Sequence, residues 1–392
     1  MVRHCLLSAT ISGSDMKKIS CLYFLVLLAL LISGCRESYE PPVLTIDYSF
    51  LVVEGIINTS PGAETVIALS RSKKLTDTTT FVPEKGAVIT IESQSGSQYA
   101  LVEIGDGMYV SGSLTLNNAV QYRLNITTAD QAQYRSDYTA SLVAPPIDSL
   151  EWEQDEDVTI FVNTHDPNNQ THYYQWEYVE TWQYNSELET TWSVNNGLIY
   201  GLSPLEQIHT CWIDSNSTNI IVGSSIRLSE DRINRQPVAV IRNGSDKIKY
   251  RYSILVKQYA LSKEAHAYWQ LIQKNSQQLG TLFDAQPTQL TGNIHAVAND
   301  NKPVIGFISA GSPQYKRIFI NKNEVTNWVP FTMPPDCYIK TIDQNASNFR
   351  IFDYPDPSYT IYYYVTGGIV IGKKICLDCR ESGGTNTKPS FW

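Results

Sequence analysis

The residues of this chain that could do chemistry are first of all thiols. Cys376 and Cys379 stand in a Cys-x-x-Cys pair near the C-terminus, Cys211 and Cys337 lie upstream, and Cys5, Cys21 and Cys35 fall near the N-terminus. Such a pair can hold half of a tetrahedral zinc site, work as a thioredoxin-like redox couple, or form disulfides with cysteines elsewhere. Zinc would require all four distal thiols to converge, and the redox motif belongs on a βαβ unit that is missing here. Cys35 has a different chemistry. It directly follows Ile32-Ser33-Gly34, the small residues a signal peptidase needs, at the end of a 12-residue apolar run over 21–32.

Other reactive patterns are weak. The six histidines, His4, His165, His172, His209, His266 and His295, show no His-x-x-x-His or His-Glu-x-x-His spacing, and there is no Gly-x-Ser-x-Gly elbow. Gly367, Gly372 and Lys373 match the spacing of a phosphate-binding loop, but Lys374 stands where Ser or Thr should ligate magnesium, and 368–371 reads as strand. Trp176, Trp182, Trp192 and Trp212 fall in a tyrosine-rich region, and aromatic platforms stack on sugar rings or anchor protein partners. Trp176 alternates with other aromatics on one strand face and belongs in a core. Trp182, Trp192 and Trp212 are the candidates for ligand or partner contact. No catalytic residue, metal ligand or cofactor site is assigned, so the expectation is a non-enzymatic protein without a cofactor.

The thiols also set the compartment. Lys17 and Lys18 precede the apolar run, which is too short to cross a bilayer, since that takes roughly 20 apolar residues. The segment therefore reads as a lipoprotein signal, with the start at Met16 and residues 1–34 removed. Cys35 would then be the first mature residue, thioether-linked to diacylglycerol, and two or three acyl chains at about 0.8 kcal/mol per buried methylene make a lasting anchor. In an exported chain the four remaining cysteines read as two disulfides, with three possible pairings. Bridges from Cys211 and Cys337 to the C-terminal pair are preferred, because they close large loops and tie down the tail.

Charge excludes one class of partner. The whole chain has 30 basic and 39 acidic residues; without Arg3, Asp15, Lys17 and Lys18 the mature chain keeps 27 and 38, net −11. Nucleic-acid binding runs on clustered Lys and Arg, so nucleic acid is not expected.

The elements that must position these residues are mostly strands. After a polar tether over 35–46, seven short β runs at 51–57, 65–69, 87–92, 99–103, 108–110, 122–126 and 134–138 predict an immunoglobulin-like sandwich over 47–145. Pro145-Pro146 closes it, since neither proline suits a central strand or a helix. A larger, fibronectin-III-like β-sandwich is expected over 146–392. In it, 158–162 and 173–182 form a hairpin through His165 to Asn169, and 185–248 is an irregular insertion with few long elements. The strand 250–259 runs into one helix over 262–279, capped by Ser262 and stopped by Gly280. Further strands follow at 303–308, 317–320 and 360–365, and a disulfide-tied tail ends this mainly β chain.

With these residues laid out, the chain resembles a family of Bacteroidota outer-membrane lipoproteins of unknown function (DUF4249-like). The marks are Cys376-x-Asp378-Cys379-Arg380, Gly383-Gly384-Thr385-Asn386, Lys388-Pro389-x-Phe391-Trp392, the Ile147-Asp148-Ser149-Leu150 junction, Cys211-Trp212, Tyr268-Trp269 and Gly292-Asn293-Ile294. Members are typically encoded beside TonB-dependent receptors. The resemblance implies an accessory lipoprotein of such a receptor, anchored in the outer membrane and facing the cell surface, that captures or admits an unknown ligand. A surface adhesin or structural protein is the alternative, and an exported hydrolase a third. Radiolabelled palmitate is expected to enter the wild-type protein and not Cys35→Ala, which should leave the membrane fraction; a Cys35→Ala protein still held in the membrane would contradict this.

Overall fold

Alternation of apolar and polar residues, which sends successive side chains to opposite faces of a strand, dictates the first eight strands. The computed structural model describes residues 49–73, 81–195, 198–277, 292–298, 303–330, 337–343 and 358–392; the leader and Cys35 lie outside them. The strands are β1 (Leu51–Asn58), β2 (Val66–Arg71), β3 (Val88–Ser93), β4 (Gln98–Gly105), β5 (Met108–Ser111), β6 (Gln121–Thr127), β7 (Gln133–Ser136) and β8 (Thr139–Val143). Next come β9 (Ile147–Gln154), β10 (Val158–His165), β11 (Tyr173–Asn185), β12 (Trp192–Asn195), β13 (Leu198–Gly201), β14 (Thr210–Asn216), β15 (Ile221–Ser224), β16 (Arg232–Ile241) and β17 (Arg251–Ala260). After helix α1 (Lys263–Gln277) follow β18 (Ile294–Ala296), β19 (Ser309–Ser312), β20 (Gln314–Asn321), β21 (Ile339–Asp343), β22 (Tyr359–Val365) and β23 (Gly368–Lys373). The protein is mainly β.

The N-terminal strands close into a ring. Pairing runs from β6 through β3, β4, β5, β2, β1, β19 and β8, and β8 pairs back onto β6 at Thr139–Tyr122 and Ala140–Gln121. The closing piece, β19, comes from beyond residue 300 and lies parallel to both β1 and β8. The boundary drawn at residue 145 is thus crossed by the sheet, and β18 also returns to pair with β7. Inside the ring pack Leu51, Val53, Ile57, Ile67, Leu69, Ile89, Ile91, Leu124 and Ile308, each almost fully buried; an aliphatic side chain so buried contributes about 1.5–3 kcal/mol. The ring strands are 4–8 residues long with an apolar interior. A membrane barrel instead turns its apolar side outward and needs strands of about 9–11 residues.

The expected strand over 303–308 is not formed. Gly306 has φ +145°, and a Cβ there would meet the Val53 carbonyl oxygen at 2.3 Å. The segment follows β1 only through Val53 N–H donating to Ile305 O (2.8 Å) and Ile305 N–H to Leu51 O (2.9 Å), and regular pairing begins at Ser309.

Two sheets face each other in the second part: β16-β10-β9, and β14-β11-β17-β20 with β15 beside the start of β11. Val158, Ile160 and Val162 pack against Tyr174, Trp176, Tyr252, Ile254 and Val256 between them. The predicted hairpin of 158–162 with 173–182 does not exist, because β10 pairs with β9 and β16 whereas β11 belongs to the opposite sheet. The connection turns at Asp166, whose carboxylate accepts from the backbone N–H of Asn168 (2.9 Å), Gln170 (3.0 Å) and Thr171 (2.9 Å), so the chain crosses between layers. The span 185–248 is likewise more regular than expected. It supplies the ten-residue β16, whose Ile233, Val238, Ala239 and Ile241 enter the core, while bulges accommodate Pro237. Gln258 joins the layers: it accepts from Trp176 Nε1 (2.9 Å) and donates to Pro145 O (2.8 Å) and Thr164 Oγ1 (2.9 Å).

Helix α1 starts where the cap requires it, with Ala265 N–H donating to Ser262 Oγ at 3.1 Å. Leu279 and Gly280 lie outside the described residues.

On the outer face of the ring, Glu92 accepts from Arg123 twice (2.9 Å each), from Asn125 Nδ2 (2.8 Å) and from Tyr138 OH (3.2 Å). The guanidinium above all, then the Asn125 amide, lowers its carboxyl from 4.5 to about 2. A carboxyl depressed on folding contributes stability that is complete above its unfolded value and lost as pH falls through the folded one. Glu92→Gln is therefore expected to cost about 1 kcal/mol at neutral pH, with the gap to wild type shrinking below pH 4.5 and vanishing near pH 2 in denaturant titrations; a gap constant down to pH 2 would contradict it.

Candidate functional site

The outer faces of the ring and of the β11-β17-β20 sheet meet over an open cleft of about 640 Å³. Register places its sheet wall. Glu177, Lys257 and Tyr315 stand directly opposite one another across β11, β17 and β20, and one step along Gln175 faces Tyr259. The core-facing neighbours Tyr174, Trp176 and Val256 hold these strands down, so the intervening residues face outward. The ring wall consists of Glu54, Ile56 and Asn58 on β1, Val66 and Ala68 on β2 with nearby Glu64, and Met108 on β5. The bottom is apolar, where Ile56, Tyr259, Leu261, Ala265, Trp269 and Phe307 pack together. Residues 216–220 form one end, fixed by Ser217 N–H donating to Tyr178 O (2.8 Å) and by Gln273 Nε2 of α1 donating to Ile220 O (2.7 Å).

Three carboxylates, Glu54, Glu64 and Glu177, and one ammonium, Lys257, line the cleft. Tyr259 OH donates to Glu177 Oε2 at 3.0 Å. Burial, then the Glu177 charge, pushes the Tyr259 hydroxyl far above its ordinary value, and the same two causes raise Tyr315. Both phenols thus stay neutral donors. Gln175 is nearly buried at the cleft, and its side-chain amide has no partner among the described residues. Rings, amides, hydroxyls and a surplus of carboxylates make a site that can bind.

The residues singled out in the sequence lie elsewhere. Cys211 bonds to Cys379 and Cys337 to Cys376, across separations of 168 and 39 residues. The tail sequence now has physical reasons. Asp378 accepts from Arg380 Nε (2.8 Å) and Nη2 (2.6 Å), and Gly383 takes φ +83° to end the turn. A Cβ on Gly384 would meet Cys211 Cβ at 2.7 Å, and Thr385 pairs with Trp212 through two backbone bonds. Phe391 lies under the Arg317 guanidinium at 3.5 Å, and Trp392 beside Arg251 at 5.3 Å.

Of the three candidate tryptophans, Trp212 is nearly buried, while Trp182 and Trp192 are partly exposed and packed on one side. Trp212 is 8% exposed and sits edge-on to Trp392 at 6.3 Å. Trp192 packs on Ile361, Ile369 and Ile371 and meets Tyr364 at 4.7 Å. Trp182 lies against the second core with the Lys247 ammonium 5.3 Å from its ring. Trp176 is fully buried. Each aromatic had a partner distant in sequence, so exposure was not legible from its neighbours.

One constellation resembles hydrolase machinery and fails on geometry. Ser225 Oγ bonds Asp231 Oδ1 and lies 3.5 Å from His172 Nδ1, while Asp231 Oδ2 accepts from Tyr174 OH at 2.5 Å. The carboxylate holds the serine and not the imidazole, the reverse of a triad's order, and both Ser225 and Asp231 are buried. Among the described residues no group of three His, Cys, Asp or Glu side chains could hold a metal ion.

Fold and cleft define a disulfide-tied protein of two β parts with a ligand-sized opening between them. Residues 36–317 match the family described as Domain of unknown function (DUF4249), and the chain belongs to that family. No curated protein is significantly similar. Among solved structures the chain is similar to a DUF4785 family protein of Legionella pneumophila, with 13% identity, 47% of this chain and 56% of that one covered, and TM-score 0.17. It is similar to the adhesin InvE of Yersinia pseudotuberculosis (10% identity, 54% and 55% covered, TM-score 0.15) and to the B domain of a biofilm-associated protein (7%, 72% and 89%, 0.16). The chain spans little more than half the length of the first two. At these TM-scores none of the three bears on this chain's fold or function.

Proposed function

We propose that this protein is a non-enzymatic binding lipoprotein, held at the outer membrane through acylated Cys35, facing the cell surface, and serving a TonB-dependent receptor in ligand capture or uptake. The observation that carries the binding role is the cleft, with Gln175 opening onto it and its aromatic and acidic walls. Two disulfides agree with export, since such bonds persist in oxidising compartments. The anchor and the receptor come from the Cys35 sequence and the family resemblance. In this scheme the second part is a fibronectin-III-like scaffold, and the ring is an immunoglobulin-like strand set sealed by a returned strand. Both present loops and outer faces to a ligand, and neither requires a reacting group. Affinity capture of the tagged lipoprotein from detergent-solubilised outer membranes is expected to bring down a β-barrel receptor in comparable amount, and deletion to impair uptake of one nutrient. Recovery of the lipoprotein alone, with lost attachment and intact uptake, would make it an adhesin.

A further inference from the structure

The cleft's chemistry narrows what can enter it, and the ligand class below rests on the binding role just proposed. Gln175 is 9% exposed, yet its amide makes no hydrogen bond within the described residues. Its amide atoms are not among the buried unpaired ones of the described residues, so they open onto the water of the cleft. Here the open side is the cleft, where an incoming donor or acceptor can complete the amide. The surrounding charge is unbalanced as well. Lys257 stands between Glu177 and Tyr315 on neighbouring strands and offsets one carboxylate, leaving the surplus with Glu54 and Glu64 on the ring wall. Tyr259, Tyr315, Trp269 and Phe307 add aromatic surface, and the negative face of such rings attracts cations.

We infer that the cleft takes a cationic, partly apolar ligand of peptide type, with a basic side chain set between the ring-wall carboxylates and the aromatic rings, and a backbone amide paired to Gln175. An uncharged glycan would use the rings and the amide but leave the carboxylate surplus uncompensated. An acidic peptide would meet like charge on the ring wall. The cleft's size, several hundred cubic ångströms, suits two or three residues of chain.

The test is calorimetric titration of the full acylated protein in detergent with the tripeptide amide Arg-Phe-Arg, its acidic counterpart Glu-Phe-Glu, and maltotriose. Only the basic peptide is expected to bind, and more weakly as salt rises. Replacing Glu54, Glu64 and Glu177 together by Gln should weaken it about tenfold or more. The control triple Glu156→Gln, Glu189→Gln and Glu230→Gln, on surfaces away from the cleft, should leave affinity unchanged. Gln175→Leu should weaken binding without altering its salt dependence, which keeps the test open if the triple variant misfolds. Equal weakening by both triples would reduce the effect to the chain's overall acidity and overturn the proposal. Binding of maltotriose or of the acidic peptide, lost in Gln175→Leu, would overturn the cationic class while keeping the cleft as the binding site. If no probe binds but the receptor still copurifies, the ligand class fails and the accessory role stands.

Discussion

The strand Ser309–Ser312 lies parallel between β1 and β8, and through it the ring, the sheets that follow and the cleft are all held in one arrangement. Its sequence, Ser-Ala-Gly-Ser, is small because the space is small: a Cβ on Gly311 would meet the Leu142 carbonyl oxygen at 2.3 Å. Its hydroxyls are used as well, since Ser312 Oγ lies 3.1 Å from Thr59 Oγ1, which in turn lies 2.7 Å from Ser141 Oγ. Upstream, Asn293 Nδ2 donates to Ile308 O (2.8 Å) and its Oδ1 accepts from Ile308 N–H (2.8 Å), fixing the approach. Closure pairs β8 back onto β6, so the edge this sheet keeps is the short β18, which extends it through β7. The consequence is topological: the chain leaves the ring, builds the sheets of the second part and must come back before the ring exists.

That return also sets the cleft. Only Pro313 separates β19 from β20, so a single run of chain forms part of the ring and then part of the sheet wall. Pro145 and Pro146 make the outward crossing, tied to the second core through Gln258. With two covalent crossings and the apolar cluster of Ile56, Leu261, Trp269 and Phe307 between the walls, the cleft is built into the fold. At the far end the two disulfides and the aromatic tail do the same for the C-terminal strands. Bridges closing long loops act chiefly by restricting the unfolded chain, typically by 2–4 kcal/mol.

Much of the architecture was legible in the sequence, and the losses have a pattern. The seven N-terminal runs, β11, β17 and α1 stand where alternation, length and capping put them, because their side chains face a core on one side and water on the other. The paired use of four cysteines follows from their count. What could not be read is long-range pairing. Ser-Ala-Gly-Ser has no alternation to mark it as a strand. Pro237 disguised β16, and nothing local says that β10 and β11 lie in opposite sheets. The cleft was missed for the same reason: Glu54, Gln175, Lys257 and Tyr315 come from four separate strands, and each alone reads as a solvated outward residue. The tryptophans stand out by residue type, while the place of Gln175 at the cleft becomes visible only once its neighbours are known.

Hydrogen exchange at two amides tests ring closure most directly. Thr59 N–H donates to Gly311 O and Ala144 N–H to Ser312 O, both at 3.0 Å. If the returned strand is what holds the molecule together, these amides exchange only through global unfolding, with the same protection free energy as amides of the deeply buried Ile89 and Val256. If they exchange by an independent local opening while Ile89 and Val256 stay protected, β19 is a dispensable seal and the cleft is not fixed by it.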